Sequence, residues 1–486
     1  MAFLEAKSLS FAYPESEIYA LENINFGMNK GEFIVVMGAT GSGKSTLLRL
    51  LKKEIAPYGK ISGIIESECR SISFVSQNPD VTFVSENVRG ELAFALENQQ
   101  LDSDKIAVRI GETASFFNLS HLLDKKIVAL SGGERAVVAI AAAMITECDL
   151  LILDEPLAQL DPKAANQIIN LIKRVNDELG VSIIMSSHIS DGIIDKCDKL
   201  LILDSGKNIA FDMPDRLAKD STFTPFFPIY TYMFASRPLT VKSAILCEEH
   251  FSEKSYDKAE RNSVSVSLKN ITFAYGKKEK DVLSNLSFCA CSGEIHSIIG
   301  ANGSGKTTLL KVISNIKKAY CGKVKMNGKA AYMPQDVRYL FTKDTVADEI
   351  DTDTAEKFGL ECFLSRHPYD LSGGQMQKLA LAILSKQNFD ILILDEPTKA
   401  LDNISKSELA FYLKSLKSVG KTVILASHDL DFVGDTSDRV SFLSDGMITI
   451  TGDRRDVLSS LHYYTTQIHR ITKLYLKNAV SAEDLE

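Results

Sequence analysis

The chain has 486 residues, 45% hydrophobic and 24% charged, with 55 basic against 63 acidic side chains and a net charge of −8. That is ordinary globular composition and excludes a disordered, collagen-like or disulfide-scaffold protein; the acidic balance gives no global field that would draw in nucleic acid. Eight cysteines without a CxxC pair fit a reduced compartment. The longest apolar run, 136–145, is about half of what a spanning helix needs, and the first residues lack the basic-then-apolar layout of a secretory signal.

In chain order, the first landmark is Tyr13 in FAYP. A short apolar run, Phe33–Gly38, predicts a buried strand. It ends in GATGSGKST, 38–46, and a helical sequence follows. GxxxxGK[ST] suits a loop that wraps a polyphosphate: glycines turn backbone N–H groups inward, and the helix start favours negative charge. Lys44 is expected to reach the β- and γ-phosphates and Ser45 to offer a hydroxyl to Mg²⁺. The 77–130 stretch reads as a peripheral helical subdomain. LSGGE, 130–134, places Ser131 and Gly133 at another helix start. LLILDEP, 150–156, ends a buried strand in two carboxylates: Asp154 for Mg²⁺ and Glu155 to polarise an attacking water. VSIIMSSH predicts the next strand and puts His188 within reach of a γ-phosphate.

A neutral, Pro-interrupted segment follows, with FTPFFPIYTYMF at 223–234. It reads as a strap on its own domain or as a docking surface. Then the whole series returns: FAYG with Tyr275, GANGSGKTT at 300–308 with Lys306 and Thr307, Gln335, LSGGQ with Ser372 and Gly374, ILILDEP with Asp395 and Glu396, and ASH with His428. The offset is 262 at Lys44/Lys306, 258 at Gln77/Gln335, 241 at Asp154/Asp395 and 240 at His188/His428. Shared order with a shrinking offset means two copies of one domain, the second shortened mainly between Gln335 and LSGGQ. The expected division is 1–222 for the first domain, 223–262 for a linker and 263–486 for the second. A helical stretch with apolar spacing is expected over 456–477.

Each series resembles an ABC-transporter nucleotide-binding domain. VSQNPDVTFVSENVRGELAFALEN (75–98) and MPQDVRYLFTKDTVADEI (333–350) resemble the energy-coupling factor (ECF) group, with its cobalt- and vitamin-type importers. The resemblance implies an α/β fold of two tandem P-loop domains, each with a mostly parallel sheet core, an antiparallel β region and a helical subdomain. It implies ATP and Mg²⁺ as cofactors. One ATP would lie between Tyr13, the loop residues Gly38, Thr40, Gly41, Gly43, Lys44, Ser45 and Thr46, with Gln77, and the Ser372/Gly374 turn. The other would lie between Tyr275, Gly300, Asn302, Gly303, Gly305, Lys306, Thr307, Thr308, with Gln335, and the Ser131/Gly133 turn. The tyrosines would stack on adenine, Gln77 and Gln335 would complete the Mg²⁺ sets, and Asp161 and Asp402 would lie at the seam.

Pairing within one chain would replace dimerisation of separate ATPases. The implied partners are an integral membrane coupling subunit and a substrate-binding membrane subunit, with no nucleic acid, at the cytoplasmic face of the cell membrane. The cargo is expected to be a vitamin or thiamine precursor or a metal ion. The rival reading is a soluble tandem ATPase acting on ribosomes, against which stands the neutral, Pro-broken linker. Glu134 departs from the usual Gln. Both copies keep the Glu and the His, so two competent sites are expected. Glu86, Glu91, Asp348 and Glu349 are candidates to pair with arginines of the membrane partner.

Overall fold

The computed structural model describes every residue except 1, 15–17, 159, 161, 189–191, 256–262, 277–278 and 400. Asp161 therefore lies outside the described residues. The chain divides into two compact units, Met1–Pro228 and Ile229–Glu486.

In the first unit a parallel core runs in the order Lys199–Asp204, Phe33–Gly38, Ser182–Ser186, Leu150–Leu153, Ile72–Val75. Its central strands are buried along their whole length, as continuous apolar runs require when both faces are covered. Antiparallel strands Lys60–Ser67, Leu4–Ala12 and Leu21–Met28 extend the sheet, joined through Lys207–Asp212. The second unit repeats the core order as Arg439–Ser444, Ile295–Ile299, Thr422–Ala426, Ile391–Asp395, Ala330–Met333. Its antiparallel strands Leu283–Cys291, Val264–Phe273 and Cys321–Met326 form a separate sheet. The joining hydrogen bond is nevertheless shared: Glu22 N–H donates to the Gly206 carbonyl at 2.7 Å, and Ser284 N–H to that of Gly446 at 3.1 Å.

The helical subdomains differ as the offsets foretell. The first copy has helices Val88–Asn98 and Ser103–Phe116; the second has only Val346–Glu349 and Thr352–Lys357. The strand core cannot lose residues without breaking register, so the deletion falls on peripheral turns of helix.

The expected stretch over 456–477 is two helices, Arg454–Ser460 and Gln467–Thr472. Thr466 accepts a hydrogen bond from the His469 N–H and caps a new helix. Val457, Leu458, Ile468 and Ile471 are buried as the spacing predicts, but Leu474 is exposed. Tyr230, Phe234 and Ala244 pack with Ile471 of the second helix, and residues 252–254 pair with the final residues of the chain.

Candidate ATP sites

Each phosphate loop follows a buried central strand and ends at a helix start, Lys44–Leu50 or Lys306–Ile313. Gly43 and Gly305 cap these helices with φ of 98° and 104°, a left-handed backbone that disfavours a side chain. A Cβ on Gly43 would also lie 2.7 Å from the Ala20 carbonyl. The loop curls around its own lysine. Lys44 Nζ donates to the Gly38 and Ala39 carbonyls at 2.8 and 3.1 Å; Lys306 Nζ donates to Gly300 and Ala301 at 2.9 and 3.2 Å. Both lysines are buried, so the ammonium is pre-positioned inside a small ring of backbone.

The loop hydroxyls meet the strand-end carboxylates. Ser45 Oγ donates to Asp154 Oδ1 at 2.9 Å, and Thr307 Oγ1 to Asp395 Oδ1 at 3.1 Å. Burial raises the pKa of both aspartates, against the hydrogen bonds that favour the charged form. The donor set is all oxygen, hydroxyl plus carboxylate, which suits a hard divalent cation.

Glu155 and Glu396 adopt φ of 47° and 52°. Such backbone strain in a non-glycine residue is held in place by its surroundings. Here it aims each carboxylate between lysine and histidine. Glu155 lies 3.7 Å from Lys44 Nζ and 3.3 Å from His188 Nδ1, and accepts from Gln77 Nε2 at 3.1 Å. Glu396 lies 3.8 Å from Lys306 Nζ and 2.8 Å from His428 Nδ1, and accepts the His428 N–H at 3.2 Å. Burial works against the charge on Glu155, but His188 and Lys44 outweigh it and its pKa falls. Burial likewise opposes the charge on His428, yet the Glu396 carboxylate prevails and its pKa rises.

Tyr13 OH lies 3.0 Å from Thr46 Oγ1, and Tyr275 OH 3.0 Å from Thr308 Oγ1. Tyr13 and Tyr275 are 41% and 51% exposed, which suits contact with a flat base. Gln335 is exposed and, among the described residues, makes no hydrogen bond to Glu396. Gly41, Asn302 and Gly303 complete the loops; Thr40 has polar partners of its own.

Ser131 and Ser372 cap the helices Gly132–Met144 and Gly373–Ser385. Glu134 closes back on its own helix start: its carboxylate accepts from the Ser131 N–H and hydroxyl, each at 2.7 Å, in a capping box that also lowers its pKa. Gln375 makes the corresponding bond to the Ser372 N–H at 3.0 Å. Gly133 and Gly374 lie in the first turns of these helices.

Glu91 and Glu349 turn inward, contrary to the expectation that they face a partner. Glu91 accepts the Val84 and Ser85 N–H groups at 3.0 and 2.9 Å; Glu349 accepts those of Thr342 and Lys343. A loop leaving a sheet has unpaired backbone donors, and a carboxylate one helical turn on satisfies them. Glu86 pairs with Lys126, and Asp348 with the Thr345 hydroxyl.

Sequence reasoning missed two side chains. Ser186 Oγ donates to Asp154 Oδ1 at 2.8 Å and accepts the Glu155 N–H at 2.8 Å. Its counterpart is Ala426, so that donor is missing in the second copy. There Tyr332 OH reaches Asp395 Oδ2 at 3.4 Å, where the first copy has Phe74. The paired exchange, Ser with Phe for Ala with Tyr, was visible once the copies were aligned. Replacing Ser186 with Ala or Tyr332 with Phe removes a hydrogen bond to the strand-end carboxylate proposed for the cation. The expected result is roughly tenfold weaker ATP-dependent Mn²⁺ binding, measured by electron paramagnetic resonance; unchanged affinity in both would refute this support.

The ABC transporter family model matches residues 21–158 and 283–399, just over half of the chain. A Bacillus thuringiensis subsp. konkukian protein named "Putative ABC transporter ATP-binding protein" is 35% identical, covering 100% of this chain and 98% of its own. A Bacillus subtilis protein named "Putative HMP/thiamine import ATP-binding protein" is 27% identical over 94% of this chain and 92% of its own. Among solved structures, an archaeal ribosome recycling factor, aABCE1, in complex with the ribosomal stalk protein aP1, matches with a TM-score of 0.65 at 20% identity, over 93% of this chain and 91% of its own, which shows a shared fold. With two phosphate loops, two strand-end carboxylate pairs and full-length relatives, the chain belongs to the ABC transporter family and is an ATP-binding, ATP-hydrolysing protein with two such domains in tandem.

Proposed function

We propose that the chain is the energy-coupling ATPase of an ECF-type importer for a thiamine-related precursor. The observation that carries this reading is the alignment, over nearly the whole chain, with the relative named for HMP/thiamine import.

In this reading the two domains pair head to tail. Each phosphate-loop cluster offers an ammonium, a hydroxyl and two carboxylates to one side of a triphosphate. The helix starts at Ser131 and Ser372 offer N–H groups suited to the other side. ATP then acts as adhesive, and its cleavage releases the pair. Ser45, Asp154 and Gln77, or Thr307, Asp395 and Gln335, would hold Mg²⁺, which when bound neutralises charge on the phosphates. Glu155 or Glu396 draws the proton of a water whose oxygen attacks the γ-phosphorus as the bond to ADP breaks. His188 or His428 holds that carboxylate and approaches the γ-phosphate.

The membrane partners would dock beside the Gln loops. Val81, Val84 and Val128 are 77%, 60% and 84% exposed on segments tied by the Asn87–Lys126 bridge; Tyr339 and Tyr369 are 82% and 55% exposed in the second unit. Exposed apolar residues of this kind suit a partner's helix. Among the described residues no helix is long and apolar enough to cross a membrane, so the chain would sit at the cytoplasmic face through its partners.

Tagged chain captured from detergent-solubilised membranes is expected to bring down two integral membrane proteins. Aspartates at Val81 and Val84 together should reduce that recovery severalfold and leave ATP binding unchanged. Recovery of ribosomal proteins in their place would overturn the importer reading in favour of a ribosome-bound ATPase.

A further inference from the structure

The second unit holds a cavity of about 700 Å³ between the Thr352–Lys357 region, the signature helix Gly373–Ser385 and the helix Asn403–Ser418. Its size falls in the range of small-molecule sites. Phe358, Leu381, Leu401 and Tyr412 form apolar walls, with the Phe358 and Tyr412 rings edge to face at 5.4 Å. Gln377 also lines it. That side chain is 4% exposed, and among the described residues its Oε1 has no hydrogen-bond partner. A buried amide oxygen left unpaired is costly, so it marks a place where a donor belongs.

The first copy is built otherwise at the matching positions. At the offset of 241, Arg174 stands for Ser415 and Ala136 for Gln377. Arg174 stacks 4.2 Å from the Phe116 ring and donates to the Phe116 carbonyl. The second copy thus carries a short hydroxyl where the first has a long stacked guanidinium, and a buried amide where the first has a methyl group. At the rim, Lys357 Nζ lies 6.0 Å from the Tyr412 ring, while Lys378 is occupied by Glu408 at 2.7 Å.

We infer that this cavity is a binding site for a flat aromatic small molecule that donates an N–H or O–H to Gln377 Oε1. The ring lies against Phe358 and Tyr412, and an anionic substituent faces Lys357. A bound molecule bridges the signature helix to the helix that follows the Asp395–Glu396 strand. The inference stands apart from the importer reading, since it needs only the second unit's own residues.

Indole-3-carboxylate carries all three features, and its N-methyl derivative lacks the donor. With the full chain, saturation-transfer NMR is expected to detect indole-3-carboxylate, with the N-methyl derivative binding about three- to tenfold more weakly. Gln377→Leu should abolish that difference, and Ser415→Arg, which restores the first copy's side chain, should abolish binding. Thermal melting and ATP binding of both variants confirm that they fold. Absence of binding to the unaltered chain, equal binding of the two compounds, or full binding to folded Ser415→Arg each overturns the inference.

Discussion

Replacing Glu155 or Glu396 with Gln is expected to lower steady-state ATP turnover of the full chain at least tenfold, and replacing both by about 10²–10⁴-fold. Glutamine keeps the shape of the side chain but cannot take a proton from water. It also weakens the charge-assisted contacts with His188 and Lys44, or with His428 and Lys306. The single variants decide whether the sites are coupled. If uncleaved ATP at one site holds the two domains together, the other site cannot complete its cycle, and far more than half of the activity is lost. Phosphate release at saturating ATP and Mg²⁺ measures this. Half-activity in each variant would show independent sites, and near-full activity in either would show that its carboxylate is not the base. ATP affinity should change little, because the loop lysines remain.

The second large effect is on stability. Asp484 is fully buried. One oxygen accepts from Arg454 Nη2 at 2.8 Å and lies 2.7 Å from Arg455 Nη2 in an ion pair; the other accepts the Val480 and Ser481 N–H groups, both at 3.0 Å. Asp484→Ala leaves two enclosed guanidiniums without their shared carboxylate, a loss of about 3–5 kcal/mol. For a unit of this size that corresponds to a fall of about 10 °C in melting temperature. The apolar anchors Ala479, Val480 and Leu485 should come loose with the ion pairs, exposing residues 479–486 to exchange and to protease. Unchanged melting together with unchanged amide protection over 479–486 would dismiss this clamp.

Much of the architecture was legible because its determinants are local. The glycine loops, the all-apolar strands ending in Asp-Glu, and the Ser-Gly-Gly helix starts each carry their conformation in a few neighbouring residues. The repeat then supplied the order of the pieces, and the drifting offset located the shortened helical region. The roles proposed for Lys44 and Ser45, and for Lys306 and Thr307, rest on the chemistry of a triphosphate.

What the sequence by itself determined, then, was the presence of two copies of one α/β domain and the residues that line each phosphate loop. Only the tertiary structure decided which partner each polar side chain takes. Glu91 and Glu349 read as surface acids on helical segments, yet folding turns them onto the backbone of their own loops. Ser186 and Tyr332 come from different strands, and their exchange matters only because both strands flank the same buried carboxylate position. Asp484 finds Arg454 and Arg455 some thirty residues back in the chain. A hydrogen bond is set by distances of a few tenths of an ångström between chain segments remote in sequence, and local pattern carries no record of such distances.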